Sequence, residues 1–534
     1  MNGVQLKMKG NSASYARKLI SQSPFYVGLL LVLKNYSVLP TIKFWMLDDW
    51  TVVELAQKTN VNAYTKIFGV FNGQLDIYGD TARFTPIGWV ITGFKNFFFQ
   101  DQSMYWYLFN LLLVIISYSA AFGILKQIQN YFRVNELFAP VVSLLFALHI
   151  TFNPGVHDVF DRLGTPESIT FTFSLVLFLV LVKTFTSQNI SFYWVMSNLA
   201  FILIVGCKEN SIFFLPFMFL YGVLLVAKIG YRLALIPMFI SFGFTLWVIG
   251  GFLPFILKTS TDVYGNSRSA NGLTSILSKS ISSPYVNMGL LLAGGLGFLI
   301  IIFVKSNKVR VVLLLHVAFL ELAVLCNFVY FNGNIQANYR VIFYLCFWLL
   351  VLLAYVVILV MLGRYSQNSL SFNAVSVGLA LLALYSWSDY SSETIAQIHK
   401  RAEVTQTFHS DIDRIIETIE KADSMGQKSQ VIIFVKYGFD FESVRSTIVY
   451  LKNENKEAGY FLRFVDHKET GFPQTLKDEL YRFAREGNEE WGISPNVDFS
   501  QGQNPKVKNV CVVWEPLLES PKECSTKILV RWRS

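Results

Sequence analysis

The chain has 534 residues, 53% of them hydrophobic and only 15% charged, with 48 Phe and 25 Tyr. No soluble protein of this length needs so much apolar surface, so a water-soluble globular fold is excluded. The net charge of +9 does not argue for a nucleic-acid partner, because much of it sits in short loops between apolar runs and reports topology first.

Apolar runs of about 18 residues or more recur through the first 388 positions, the length that a bilayer-spanning helix requires. They predict about eleven spans, at 24–47, 104–125, 136–152, 167–186, 191–207, 210–227, 232–256, 285–304, 309–331, 339–362 and 370–388. Lys34 and Lys43 interrupt the first run, and charge bias decides whether to keep it. With it, Lys7, Lys9, Arg17 and Lys18 are cytoplasmic, as are Lys126, Arg133, Lys183, Lys228, Arg232, Lys305, Lys308, Arg310 and Arg364. Without it, the basic loops would lie outside, against the positive-inside rule. The N-terminus is therefore expected in the cytoplasm. Residues 1–23 lack the apolar core and cleavage site of a removable signal, so the first span itself is read as the targeting signal.

Directly after that span the sequence reads Phe44-Trp45-Met46-Leu47-Asp48-Asp49-Trp50. Adjacent carboxylates at a membrane boundary repel each other and cost desolvation energy, which makes them poor packing residues and candidate functional ones. A solvated helix end would account for one of the two. The segment 48–103 is a long extracytoplasmic loop carrying Glu54, Asp80 and the run Arg83-Phe84-Thr85-Pro86, and its apolar–polar mixture predicts helices along the membrane surface.

Later polar residues fall on the same face. His149 ends the third span, followed by His157-Asp158 and Asp161-Arg162-Leu163-Gly164-Thr165-Pro166-Glu167. Cys207-Lys208-Glu209-Asn210 follows the fifth span, and Asn338-Tyr339-Arg340 opens the tenth. Carboxylates, histidines and basic residues gathered on one face describe a reaction site or binding vestibule, not a path through the bilayer.

From 389 the composition turns polar. Ser391 to Lys428 reads as a helical stalk leaving the membrane. Beyond it, β-like runs at Val431–Val435, Tyr460–Val465, Val510–Trp514 and Ile528–Trp532 alternate with helical patterns at Phe441–Lys452 and Thr475–Arg485. The expected fold is thus an all-α polytopic membrane domain over 1–388 and an extracytoplasmic stalk with a small α/β domain over 389–534. Cys511 and Cys524 could pair in an oxidising compartment, whereas Cys207, Cys326 and Cys346 read as buried thiols. No zinc spacing, P-loop or dinucleotide fingerprint is present, which argues against ATP-driven or redox chemistry.

Four motifs in this order carry a resemblance: Asp48-Asp49, Arg83-Phe84-Thr85-Pro86, His149 with Asp161-Arg162, and Cys207-Lys208-Glu209. Over residues 24–362 the chain resembles the GT-C superfamily of integral-membrane glycosyltransferases. Within it the chain looks most like the protein O-mannosyltransferase group and its relatives carrying tetratricopeptide repeats. It departs from them in lacking the repeats and in reading Asp-Arg-Leu-Gly where they have a Gly-Arg-x-Asp-like segment, which leaves the acceptor open. The resemblance implies a sugar donor carried on a polyprenyl phosphate and transfer at the extracytoplasmic face. Asp49 would then be the base, with Asp48 as its orienter or as ligand of a divalent cation (Mg or Mn). Arg340, Lys208 and Arg162 would bind the donor phosphate, with Arg83, His149, Asp161 and Glu209 in substrate binding. A bacterial inner or plasma membrane is the expected location, an ER membrane the alternative.

Each residue has a plainer reading. Lys208 pairs with Glu209 or snorkels to the interface, Arg340 anchors a span, and Arg83 is a solvated interfacial residue. Asp161 and Arg162 form a structural ion pair, and His149 is a hydrogen-bonded helix terminus. Two other function classes compete: a polytopic lipid or sugar transporter or flippase, for which Glu321 and Lys34 are the mid-span charges, and a non-catalytic membrane scaffold.

Overall fold

The computed structural model describes residues 22–44, 62, 64, 84–134, 138–153, 159–163, 166–258, 284–330, 340–365, 369–435, 441–453, 458–464, 507–514 and 526–530. In chain order the helices are α1 (22–36), α2 (Pro86–Phe99), α3 (Ser103–Tyr131), α4 (Phe138–Thr151), α5 (Glu167–Thr186) and α6 (Ile190–Cys207). Then come α7 (Leu215–Ile229), α8 (Tyr231–Lys258), α9 (Pro284–Phe303), α10 (Asn307–Tyr330), α11 (Arg340–Tyr365) and α12 (Ser369–Ser424). The C-terminal part adds β1 (Lys428–Val435), α13 (Phe441–Asn453), β2 (Ala458–Phe464), β3 (Val507–Trp514) and β4 (Thr526–Val530).

Among the described residues, six helical stretches are long and apolar enough to cross a membrane: Ser103–Tyr131, Glu167–Thr186, Ile190–Cys207, Glu209–Ile229, Tyr231–Gly251 and Asn307–Phe328. Four shorter apolar stretches, Ala139–Thr151, Leu290–Phe303, Leu345–Met361 and Asn373–Tyr385, fall within further predicted spans. The chain is thus mostly helical, with the build of a multi-pass membrane protein. Its first predicted span differs. The helix stops at 36 and a 3-10 turn, Leu39–Thr41, follows before 42–44 run out without regular structure. Pro40 explains this, since it has no N–H to give and its ring clashes with a preceding helical carbonyl.

Between apolar helices in lipid, contact geometry and a few hydrogen bonds must supply the adhesion that water supplies elsewhere. Gly28 of α1 lies against the Tyr118 hydroxyl and Leu144, leaving no room for a side chain, and that hydroxyl donates to the Phe25 carbonyl at 2.9 Å. A chain of side-chain bonds crosses the bundle: Ser143 to Gln129 (3.0 Å), Gln129 to Tyr355 (3.4 Å) and Tyr355 to Ser376 (2.7 Å), linking α4, α3, α11 and α12. Such bonds contribute about 0.6 kcal/mol each, so they set register more than they set stability.

The surface helix α2 begins with Pro86 in its first turn, where a missing N–H costs nothing. Phe94, Phe97 and Phe98 are exposed, while Lys95 folds back over the Trp106 ring at 4.5 Å, the mixed character predicted for the first loop. Its N-terminal end is pressed onto the end of α6. Gly88 would place a Cβ 3.4 Å from the Cys207 carbonyl, and a Cβ on Gly206 would come within 2.5 Å of Ile87.

β1 pairs in parallel with both β2 and β3, and β3 in parallel with β4, giving the strand order β2-β1-β3-β4. Val431 to Phe434 and Val510 to Val512 are buried, as strands covered on both faces must be. Within the described residues the predicted strand runs fall on these four strands and the run Phe441–Lys452 on α13; Val465, Arg531, Trp532 and the run Thr475–Arg485 lie outside the described residues. Cys511 is disulfide-bonded and Cys207, Cys326 and Cys346 are free; Cys524 lies outside the described residues.

The composition break at 389 is not a structural break. It falls inside α12, one helix of 56 residues. That helix ends in a Schellman turn: Gly426, at φ 68°, donates to Asp423 O, and Gln427 donates to Ala422 O. Gly206→Leu would force α2 off α6 at a cost of about 1–3 kcal/mol. Thermal unfolding in nanodiscs should show a lowered midpoint for it and none for Gly294→Leu, which faces open space; equal midpoints would mean that this contact does not hold α2.

Candidate functional site

The end of α6 and the start of α5 meet because the two helices are antiparallel neighbours. This brings Lys208, the residue after α6, to Glu167, the first residue of α5. Lys208 Nζ lies 2.6 Å from Glu167 Oε1, and both side chains are buried. An ammonium and a carboxylate withdrawn from water cost several kcal/mol each, which only close contact offsets. Lys208 leaves the helix with extended backbone, and a 3-10 turn, Glu209–Phe214, follows. The turn buries Glu209 and Asn210, and Asn210 Nδ2 donates to Asn327 Oδ1 of α10 at 2.8 Å.

α2 roofs this corner. Thr85, Gly88, Trp89 and Thr92 face Pro166, Lys208 and Glu209 around a pocket of about 20 Å³, room for roughly one water. The Trp89 indole N–H is buried there without a hydrogen-bond partner. The pocket is therefore polar at the end lined by Lys208 and Glu209, and it is too small to hold a sugar by itself.

A second charged cluster sits on the segment that leads into Glu167. Asp161 is fully buried, and its Oδ2 lies 3.1 Å from Arg401 Nε of α12. Its Oδ1 is buried without a partner. The segment is held from the other side by α3: Asn110 Nδ2 donates to the carbonyls of Phe160 (2.8 Å) and Arg162 (3.1 Å), and the Tyr107 hydroxyl to that of Asp161 (3.3 Å).

One expected pairing is thus corrected: Asp161 pairs with Arg401 rather than with Arg162, whose Nε is buried without a partner, while Lys208 has an ion-pair partner on α5 in Glu167. Neighbours in sequence diverge where the chain turns, and the closest opposite charge comes from another element. His149 is buried in the last turn of α4, its ring 3.9 Å from that of Trp348, so it does not line the Lys208 pocket. Arg340 is the first residue of α11, with its side chain outside the described residues. Asp48, Asp49 and Arg83 also lie outside them. Among the described residues no three His, Cys, Asp or Glu side chains converge as a metal site requires.

Sequence reading missed Glu167, Trp89 and Arg401 as site members. Glu167 had a legible signal, since an acidic residue opening one span and a basic residue closing the next must end on the same membrane face. Arg401 had none, being one charge among many on a polar helix. No protein-family model matches this chain, and no curated protein shows significant similarity to it.

Replacing Lys208 by Met should strand a buried carboxylate and cost about 3–5 kcal/mol. The double variant Lys208→Met/Glu167→Leu should recover most of that loss. Unfolding of both in the same lipid tests it, and a double variant as unstable as the single would mean that the pair is not the local stabiliser.

Proposed function

We propose that this protein is a membrane glycosyltransferase of the GT-C type. It moves a sugar from a polyprenyl-phosphate donor to an acceptor hydroxyl at the extracytoplasmic face, from a bacterial inner or plasma membrane. The observation that carries the reading is the buried Lys208–Glu167 pair, opening with Glu209 into a pocket under a surface helix at one end of the bundle. A leaving group that is a lipid phosphate needs fixed positive charge at that level. An ammonium carries three N–H donors, so Lys208 can address a phosphate oxygen as well as Glu167. Arg340 and Arg162 supply the remaining charge. Asp49 removes the acceptor proton as its oxygen attacks the anomeric carbon, and the electron pair of the breaking bond goes to the phosphate. Asp48 orients the base or ligates a divalent ion, whose chemistry would be to neutralise that phosphate. Arg83, Asp161, Glu209 and His149 complete the expected set; the burial of His149 against Trp348 gives it a packing role first.

In this reading eleven spans place the N-terminus in the cytoplasm and the C-terminal sheet outside, as a small α/β domain. The disulfide at Cys511 supports an oxidising surrounding. The transporter reading keeps one observation in its favour: Glu321, on α10 between apolar neighbours, has both carboxyl oxygens buried without partners.

The deciding assay offers purified protein in lipid a panel of polyprenyl-phosphate sugars and follows release of the lipid phosphate by mass spectrometry. Release by wild type that is lost in Asp49→Asn supports the reading. Equal release by both removes Asp49 from the mechanism, and no release from any donor with cell-extract acceptors present argues against transfer. The topology is tested separately. A maleimide under denaturing, non-reducing conditions should label three of the five cysteines, and all five only after reduction. Five labelled without reduction would place the sheet in a reducing compartment.

A further inference from the structure

α12 meets the extracytoplasmic ends of the bundle along one stripe. Thr394, Arg401, Thr405 and Phe408 recur at spacings of seven, four and three residues, which places them on one face of a helix. Every one of them is engaged. Thr394 Oγ1 donates to the Phe152 carbonyl at 2.7 Å, and Arg401 pairs with Asp161 at 3.1 Å. Thr405 Oγ1 accepts from the Lys43 amide at 3.1 Å. Beside the stripe, Gln406 donates to the Thr41 carbonyl at 3.1 Å and His409 Nε2 to the Phe44 carbonyl at 3.0 Å. Phe408 and His409 both pack on Tyr450 of α13, with ring centroids 5.8 and 5.1 Å apart.

We propose that His409 and Arg401 are positioning residues for the membrane-face site: from one face of α12 they fix segments 41–44 and 159–163, which lead into Asp48-Asp49 and into Glu167. The proposal rests on the transferase reading for what is positioned, but the clamp itself does not depend on it. Residues 42–44 have no regular structure of their own; burial of Ile42 and Phe44, the Pro40 turn and the bonds from α12 fix them. The Tyr450 contact extends the same line to the C-terminal sheet.

His409 also gives the clamp a titration signature. Burial chiefly lowers its pKa, with Lys43 adding to that, while the bond to the Phe44 carbonyl and Asp413 on its own helix oppose it; Tyr450 is the facing group from α13. A folded-state pKa below the unfolded one means that docking is fully favoured above the free-histidine range and weakens as pH falls through it.

The test uses the full chain in lipid nanodiscs. Trypsin cleavage after Lys43, inside the clamped segment, should rise about fivefold in His409→Ala, the effect of one lost hydrogen bond on a local opening equilibrium. His409→Gln, which keeps a donor, should restore the wild-type rate. Between about pH 7.5 and about pH 5.5 wild-type cleavage, normalised to a free peptide, should increase while His409→Gln stays flat. Arg401→Gln should likewise expose the Arg162–Leu163 bond, with Arg401→Lys closing it again. In the lipid-phosphate assay His409→Ala should lower kcat and leave the donor KM unchanged. Cleavage equal to wild type for His409→Ala at both pH values overturns the proposal. A wild type without turnover defeats the transferase reading alone, because the cleavage arms still decide the clamp.

Discussion

A lysine and a glutamate buried together at the ends of two apolar helices leave the chain little freedom. Each ion alone would cost several kcal/mol of lost hydration, so the register of α5 against α6 is fixed by the need to bring Lys208 within 2.6 Å of Glu167. That register sets the rest of the corner. It points the 3-10 turn after Lys208 toward α10, where Asn210 meets Asn327. It also presents Gly206 to α2, which can approach because Gly206 carries no side chain where Ile87 packs. The pocket is what remains between these constraints.

The same logic explains what could be read from the sequence. Helix positions were legible because apolar length is dictated by the bilayer and by nothing else in the chain. The strands were legible because runs such as Val431–Val435 are continuous β-branched and aromatic residues, a pattern that two-sided burial imposes. The end of the first span was misjudged: its hydrophobicity continues to 47, yet Pro40 stops the helix, and backbone chemistry overrides composition at a single residue. Charge partners were the least legible. Asp161 has Arg162 beside it but pairs with Arg401, 240 residues away, because adjacent side chains on an irregular segment point apart. Of the candidate site, the Lys208–Glu209 corner and Asp161 were visible from spacing and side. The roof from α2 and the brace from α12 were not, since both depend on how helices pack.

α12 shows how one helix serves three surroundings without a break. Its first part is apolar and lies among the bundle helices, through the Tyr355–Ser376 bond. Its middle carries the polar stripe. Its last part turns Ile412, Ile415, Ile419 and Ala422, all buried, toward the C-terminal sheet. The stripe keeps roughly the same helical face throughout and changes only in chemistry, which is why a composition window finds a boundary at 389 where the backbone has none. A continuous helix transmits position stiffly along its length, so the sheet and the membrane-face corner cannot shift independently without breaking hydrogen bonds in α12.

The kind of bond in the middle part matters as much as its place. Four of its contacts with the loops end on backbone atoms: the carbonyls of Thr41, Phe44 and Phe152 and the amide of Lys43. Bonds to backbone hold a segment whatever side chains it carries. A loop fixed in this way keeps its own side chains available to face a substrate, and it satisfies main-chain groups that would otherwise be buried without partners at the edge of an apolar bundle. The exception is Asp161, held by its carboxylate. Because Oδ2 is engaged by Arg401 while Oδ1 is buried without a partner, that carboxylate is anchored at one oxygen and retains acceptor capacity at the other. A residue that both braces its segment and can accept a further hydrogen bond belongs at the join between the scaffold and the site, which is where the fold has put it.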